Sequence, residues 1–144
     1  MTAGIIGLGL IGASYAKAAT RNGYDVRVWN RTRSTSLRAM EEGVARGLLC
    51  EKPGDLAECE IVIVCLPPEL CAPWIENHSD AFGKGSVVCD AAGVKGTICS
   101  ALRRFALNVT WSFVGAHPMA GRETSGIESA TKAIFKGANY IVTP

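Results

Sequence analysis

No stretch of this 144-residue sequence is apolar enough to cross a membrane as a helix: the longest purely apolar run is 61–66, I-V-I-V-C-L. A bilayer span needs roughly 20 such residues. There is also no excess of one charge. Fifteen basic and 13 acidic side chains leave a formal +2, too balanced for a footprint on nucleic acid or an anionic membrane surface. Six cysteines are present, at 50, 59, 65, 71, 89 and 99, yet no two have C-x-x-C spacing. The absence of that spacing argues against a zinc site, so no metal is expected. Six in 144 is also well below the roughly 8–10% of disulfide scaffolds. We read all six as reduced thiols, which favours the cytoplasm. The N-terminus, M-T-A-G-I-I-G-L-G-L-I-G-A-S, has small and apolar residues but no basic region ahead of them. It is therefore not read as a signal peptide. There is no repeat, low-complexity tract or linker, and the length suits one domain over 1–144.

What the sequence does have is 48% hydrophobic residues, 19% charged residues and 16 glycines. That balance excludes intrinsic disorder. Short apolar runs alternate with helical patterns. Strands are expected over 3–6, 24–29, 60–66, 86–89, 109–114 and 140–142. Helices are expected over 11–21, from Thr32 or Ser34 to Glu42, and over 69–77, 97–106 and 127–135. Asn22-Gly23 is a helix stop, and the continuous aliphatic run before Pro67-Pro68 fits a strand covered on both faces. The alternation predicts an α/β fold with helices on both faces of a mostly parallel sheet.

The first strand runs into Gly7-Leu8-Gly9-Leu10-Ile11-Gly12, a G-x-G-x-x-G pattern that opens the first helix. In that context the pattern predicts a Rossmann-type, doubly wound dinucleotide site. Gly7 allows the tight turn, Gly9 lets a pyrophosphate approach the backbone, and Gly12 lets the helix pack close to the strand. The positive end of the helix attracts the phosphates. An NAD site places Asp or Glu about 20 residues on, at the end of the second strand. Here that position is Asn30, followed by Arg31, Thr32 and Arg33. Neutral donors and guanidinium forks suit a 2′-phosphate, so NADP is expected over NAD. The alternative is that Arg31 is a solvated loop charge. Cys65, Leu66 and Pro67 end the third strand, and Ala91 follows the fourth. All four sit where a dinucleotide crosses such a sheet, with Leu66 and Pro67 walling the adenosine or merely ending a strand.

Of the two histidines, His78 lies in a polar helix-end setting, Glu76-Asn77-His78-Ser79-Asp80, and reads as surface. His117 follows an apolar strand and precedes Pro118, which holds it extended. By position it is either a general base or a structural turn residue. The segment His117-Pro118-Met119-Ala120-Gly121-Arg122-Glu123-Thr124-Ser125-Gly126, taken with the glycine loop, resembles the prephenate/arogenate dehydrogenases of tyrosine biosynthesis. The trailing Ile127-Glu128-Ser129-Ala130 and Tyr140-Ile141-Val142-Thr143-Pro144 fit the same pattern. The resemblance covers only that family's nucleotide-binding domain. It implies a further helical domain that makes a homodimer, and a small-molecule substrate. It also implies oxidative decarboxylation, in which hydride passes to the nicotinamide, carbon dioxide departs and the ring becomes aromatic. His117 then takes a hydrogen bond or proton from the ring hydroxyl.

One departure stands out. Where the family has D-x-x-S-x-K, this chain reads Asp90-Ala91-Ala92-Gly93-Val94-Lys95, so Gly93 replaces the serine that supports histidine and substrate. Lys95 is kept. Arg122 and Glu123 occupy the family's substrate-gating positions, and Arg122 either pairs with a substrate carboxylate or is a solvated charge. The β-hydroxyacid dehydrogenases and imine reductases share G-x-G-x-x-G and often the Asn30-Arg31-Thr32 pattern, but lack H-P-M-A-G. The non-enzyme alternative is an NADP-binding module.

Overall fold

The computed structural model describes residues 1–143, so Pro144 of the Y-I-V-T-P segment lies outside the described residues. Six strands form one sheet: β1 Thr2–Ile6, β2 Asp25–Trp29, β3 Ile61–Val64, β4 Val87–Asp90, β5 Ser112–Pro118 and β6 Tyr140–Thr143. Their order is β2-β1-β3-β4-β5-β6. The first five are parallel and β6 is antiparallel to β5, with His117 opposite Ile141. Four helices connect them: α1 Leu10–Arg21, α2 Arg33–Glu41, α3 Pro68–Asn77 and α4 Gly96–Phe105. This is the Rossmann-type doubly wound sheet expected from the strand–helix alternation.

The strand period of two divides the core in two. Ile5, Val26, Val28, Ile63 and Cys89 pack with Ala13 and Ala16 of α1 and Ala39 of α2. Ile6, Val62, Val64 and Val88 pack on the other face with Cys71 and Ile75 of α3 and Ile98 and Leu102 of α4. Burying each large aliphatic side chain contributes roughly 1.5–3 kcal/mol. Short side chains let α1 lie close to the sheet, with Gly12, Ala13, Ser14 and Ala16 all buried. The helix stops at Asn22-Gly23, where Gly23 takes φ +80°. The Gly23 and Tyr24 N–H groups donate to the carbonyls of Thr20 and Ala19. Pro68 opens α3 at its first position, where a missing N–H costs nothing.

Two expected elements differ. The helix expected over 127–135 is a single 3-10 turn, Ile127–Ser129, followed by further turns. Contacts with α1 claim the backbone groups that a helix would use. Lys17 Nζ donates to the Ala130 carbonyl at 2.8 Å, and the Thr131 N–H donates to Ser14 Oγ at 3.0 Å. Phe135 stacks on Tyr15 with ring centroids 4.5 Å apart. The strand expected over 109–114 begins at Ser112 and continues to Pro118. A 3-10 turn, Ala106–Asn108, prolongs the preceding helix, and buried Trp111 is fixed by its indole N–H donating to Ser79 O at 3.0 Å.

All six cysteines are free. Burial pushes the Cys59 and Cys71 thiols up to about 11 and those of Cys50 and Cys89 up to about 12. Between the ordinary thiol value of 9.0 and these raised values the folded chain holds more protons than the unfolded one. Stability is therefore complete below the ordinary value and is lost as pH rises toward 12. Cys89 alone removes about 1.4 kcal/mol by pH 10. Urea unfolding at pH 7.5 and pH 10 checks this, and a midpoint no lower at pH 10 contradicts it.

Candidate functional site

The carboxyl ends of β1, β3, β4 and β5 share one edge of the sheet, and the candidate residues gather there in two groups. The first surrounds the glycine loop. Gly7 has φ +85°, and a Cβ there would lie 2.6 Å from Cys65 O and 3.0 Å from Leu66 Cδ2. A Cβ on Gly12 would meet Gly7 O at 1.8 Å, while Gly9 faces open space with no atom within 4 Å. Two glycines thus permit the turn, and the third leaves an approach open on the solvent side. Gly9 caps α1 without a side-chain hydrogen bond, and the first turn, including half-buried Leu10 and Ile11, carries no acid. The initial N–H groups of a helix have no partner within it, so this end suits a phosphate. The cradle fits a dinucleotide pyrophosphate.

The end of β2 adds the second wall. Asn30 Oδ1 accepts from the Leu8 N–H at 2.9 Å, and its Nδ2 donates to Thr32 O at 3.1 Å. Asn30 therefore braces the glycine loop, and it also lines the groove beside Arg31. Arg33 is engaged too, donating to Glu51 through Nη2 at 2.6 Å and Nε at 3.2 Å. Arg31 is exposed and makes no hydrogen bond or ion pair among the described residues. It borders a groove of about 390 Å³ with Trp29, Thr32, Leu66, Pro67, Leu70 and Trp74. His78 also lines this groove and corrects its reading as a surface residue. Its ring stacks on Trp74 at 4.4 Å, and Nδ1 lies 2.7 Å from Trp74 O.

The second group lies where β4 and β5 end. Asp90 is fully buried and receives the Lys95 ammonium, whose side chain is 16% exposed. Asp90 also accepts from the Ala92 N–H at 3.1 Å and the Ala116 N–H at 3.2 Å, and Lys95 donates to Ala116 O at 2.7 Å. This carboxylate–ammonium pair clamps the residue before His117 on both backbone groups. Ala91 is held by its N–H donating to Val64 O at 3.1 Å. Gly93 faces the imidazole: a Cβ built on it would lie 3.5 Å from His117 Nε2 and 3.6 Å from Cε1. Neither ring nitrogen of His117 has a hydrogen-bond partner among the described residues. Arg122 and Glu123 are exposed in the loop after β5 and make no hydrogen bond or ion pair among those residues. They are not drawn into the cluster. Asp90 was not among the expected site residues; its signal is its place at the head of the Asp90–Lys95 segment, at the end of the apolar run V-V-C-D. No group of three or more His, Cys, Asp or Glu that could hold a metal occurs among the described residues, and no helix there is long and apolar enough to cross a membrane.

Comparison with known proteins bears on this cleft. The family model described as "Prephenate dehydrogenase, nucleotide-binding domain" matches residues 15–144. The chain is 32% identical over 143 residues to a probable prephenate dehydrogenase, NovF, of Streptomyces niveus, covering 99% of this chain and 38% of that protein. Its fold superposes on the crystal structure of Synechocystis arogenate dehydrogenase with a TM-score of 0.90 and 31% identity, covering all of this chain and 50% of that one. Prephenate dehydrogenase from Aquifex aeolicus, solved with hydroxyphenyl propionate and NAD+, gives 0.86 and 26%, again over 100% and 50% of the two chains. The chain thus spans half or less of the length of each of these proteins.

Proposed function

The chain belongs to the prephenate dehydrogenase family, as its nucleotide-binding domain, and from that premise we propose that it is the dinucleotide-binding half of an NADP-dependent enzyme that oxidatively decarboxylates prephenate or arogenate. The observation that carries this reading is the placing of His117. Its imidazole stands unpartnered at the end of β5, on the same sheet edge as the glycine loop, and the Asp90–Lys95 pair fixes the backbone beside it. The oxidised nicotinamide supplies a hydride acceptor. His117 takes a hydrogen bond or proton from the hydroxyl on the carbon that loses hydride, and the ring carboxylate leaves as carbon dioxide. The remaining substrate contacts and a homodimer interface belong to a further helical domain, and the six free thiols fit a cytoplasmic setting.

Arg31 supports NADP as the preferred cofactor, because it is the cation of the β2 end that no carboxylate occupies. Arg31→Ala is expected to weaken NADPH binding by roughly 1.5–3 kcal/mol, the scale of a charged hydrogen bond, and to leave NADH almost unchanged. Equal losses for both contradict the assignment. Gly93 bears on rate. It is exposed and its φ is not positive, so a serine fits there without backbone strain and its hydroxyl reaches Nε2 of His117. Gly93→Ser in the complete enzyme is expected to raise kcat about 2- to 10-fold, the worth of one neutral hydrogen bond. A lower kcat with intact folding would show a pocket built around the glycine.

The activity itself is tested with the complete polypeptide, following absorbance at 340 nm and carbon dioxide release with prephenate and with arogenate. One carbon dioxide per NADPH is expected with at least one of them. Turnover of β-hydroxyacids or imines, and of neither cyclohexadiene, contradicts the proposal.

A further inference from the structure

A second cavity, of about 530 Å³, opens at the far end of α1. Its lining includes Lys17 and Arg21 of α1, Arg46 after α2, and Lys132 of the segment that crosses α1. No acidic residue lines it. Four cations around one cavity are an unusual concentration in a chain whose formal charge is +2. Elsewhere Arg27, Arg33, Arg38 and Lys95 each have a carboxylate partner. Here Lys17 donates to Ala130 O, while the side chains of Arg21, Arg46 and Lys132 make no hydrogen bond or ion pair among the described residues. Nearby Glu42 and Glu128 do not neutralise them, since both are bound to Arg38. The frame is built: Thr20 Oγ1 accepts from the Arg46 N–H at 3.2 Å and donates to Val44 O at 3.3 Å. The Ala18, Ala19 and Thr20 carbonyls in the last turn of α1 are taken by the N–H groups of Asn22, Gly23 and Tyr24.

We propose that this cavity binds a phosphate-bearing small molecule. Two guanidinium forks and two ammonium groups match the charge and the several acceptor oxygens of a phosphomonoester better than a single carboxylate. The site is separate from the dinucleotide cradle. Gly9 caps one end of α1 and Arg21 ends the other, and a 12-residue helix is about 18 Å long. Nothing in this inference depends on the dehydrogenase reading.

The test is an amide NMR titration of this protein with inorganic phosphate, against sodium chloride at matched ionic strength. Saturable shifts at Gly43, Arg46, Thr131 and Lys132 are expected, weakening as salt screens the charges. The Arg46→Ala/Lys132→Ala double variant should lose at least tenfold in phosphate affinity while melting at the same temperature. Should that variant fold poorly, Lys132→Glu alone supplies the same comparison at an exposed position. Shifts confined to the glycine loop, no saturable shifts, or unchanged affinity in a folded variant would overturn the proposal.

Discussion

His117→Asn in the complete polypeptide is expected to lower kcat by about 10²–10⁴, the range for a positioned general base, and to leave the dissociation constant for NADPH unchanged. That loss corresponds to about 2.7–5.4 kcal/mol of transition-state stabilisation. The separation follows from geometry. His117 stands at the end of β5, paired in register with Ile141 of β6, whereas the cradle is made by Gly7, Gly9 and Gly12 at the end of β1. Asparagine keeps the strand and a polar tip but cannot take a proton. Paired measurements of kcat and of NADPH binding decide the matter. An unchanged kcat removes His117 from the chemistry, and an equal loss of cofactor affinity makes it a binding residue.

The second large effect is on stability. Lys95→Met leaves the carboxylate of Asp90 fully buried without its ammonium, and breaking one side of a buried pair costs about 3–5 kcal/mol. Lys95 also loses its bond to Ala116 O, which releases one of the two ties holding the residue before His117. The melting temperature should fall by on the order of 10–20 °C in a domain of this size. Because Lys95 touches β5 as well as Asp90, a variant assayed well below its melting point should also show reduced kcat. A fall of only a degree or two would mean that Asp90 is satisfied by its backbone donors alone.

The features legible in the sequence were those that local chemistry determines. The glycine pattern implied the turn at Gly7 and the close approach at Gly12, since both are backbone matters that only glycine allows. The aliphatic run before Pro67 implied a strand buried on both faces, and Val62, Val64 and Ile63 do face opposite cores. What the sequence concealed was set by partners distant along the chain. Residues 127–135 have a helical pattern, but Ser14 and Lys17 capture their backbone from more than 100 residues away. Asn30 carries no mark of its bond to Leu8, nor Arg33 of its pairing with Glu51. His78 sits among polar neighbours in sequence, yet its ring stacks on Trp74, four residues earlier and in the last turns of α3. Asp90 was visible as a residue of the D-x-x-S-x-K segment, but its grip on both Lys95 and Ala116 depends on β4 and β5 lying side by side.

The account rests on a dinucleotide lying along the glycine loop with its adenosine end beside Arg31. Fluorescence titration of this chain with NADPH and with NADH, at one ionic strength, tests that most directly. Saturable binding of both, tighter for NADPH, is the predicted result. Tighter binding of NADH would contradict the role given to Arg31, and binding of neither would contradict the dinucleotide site itself.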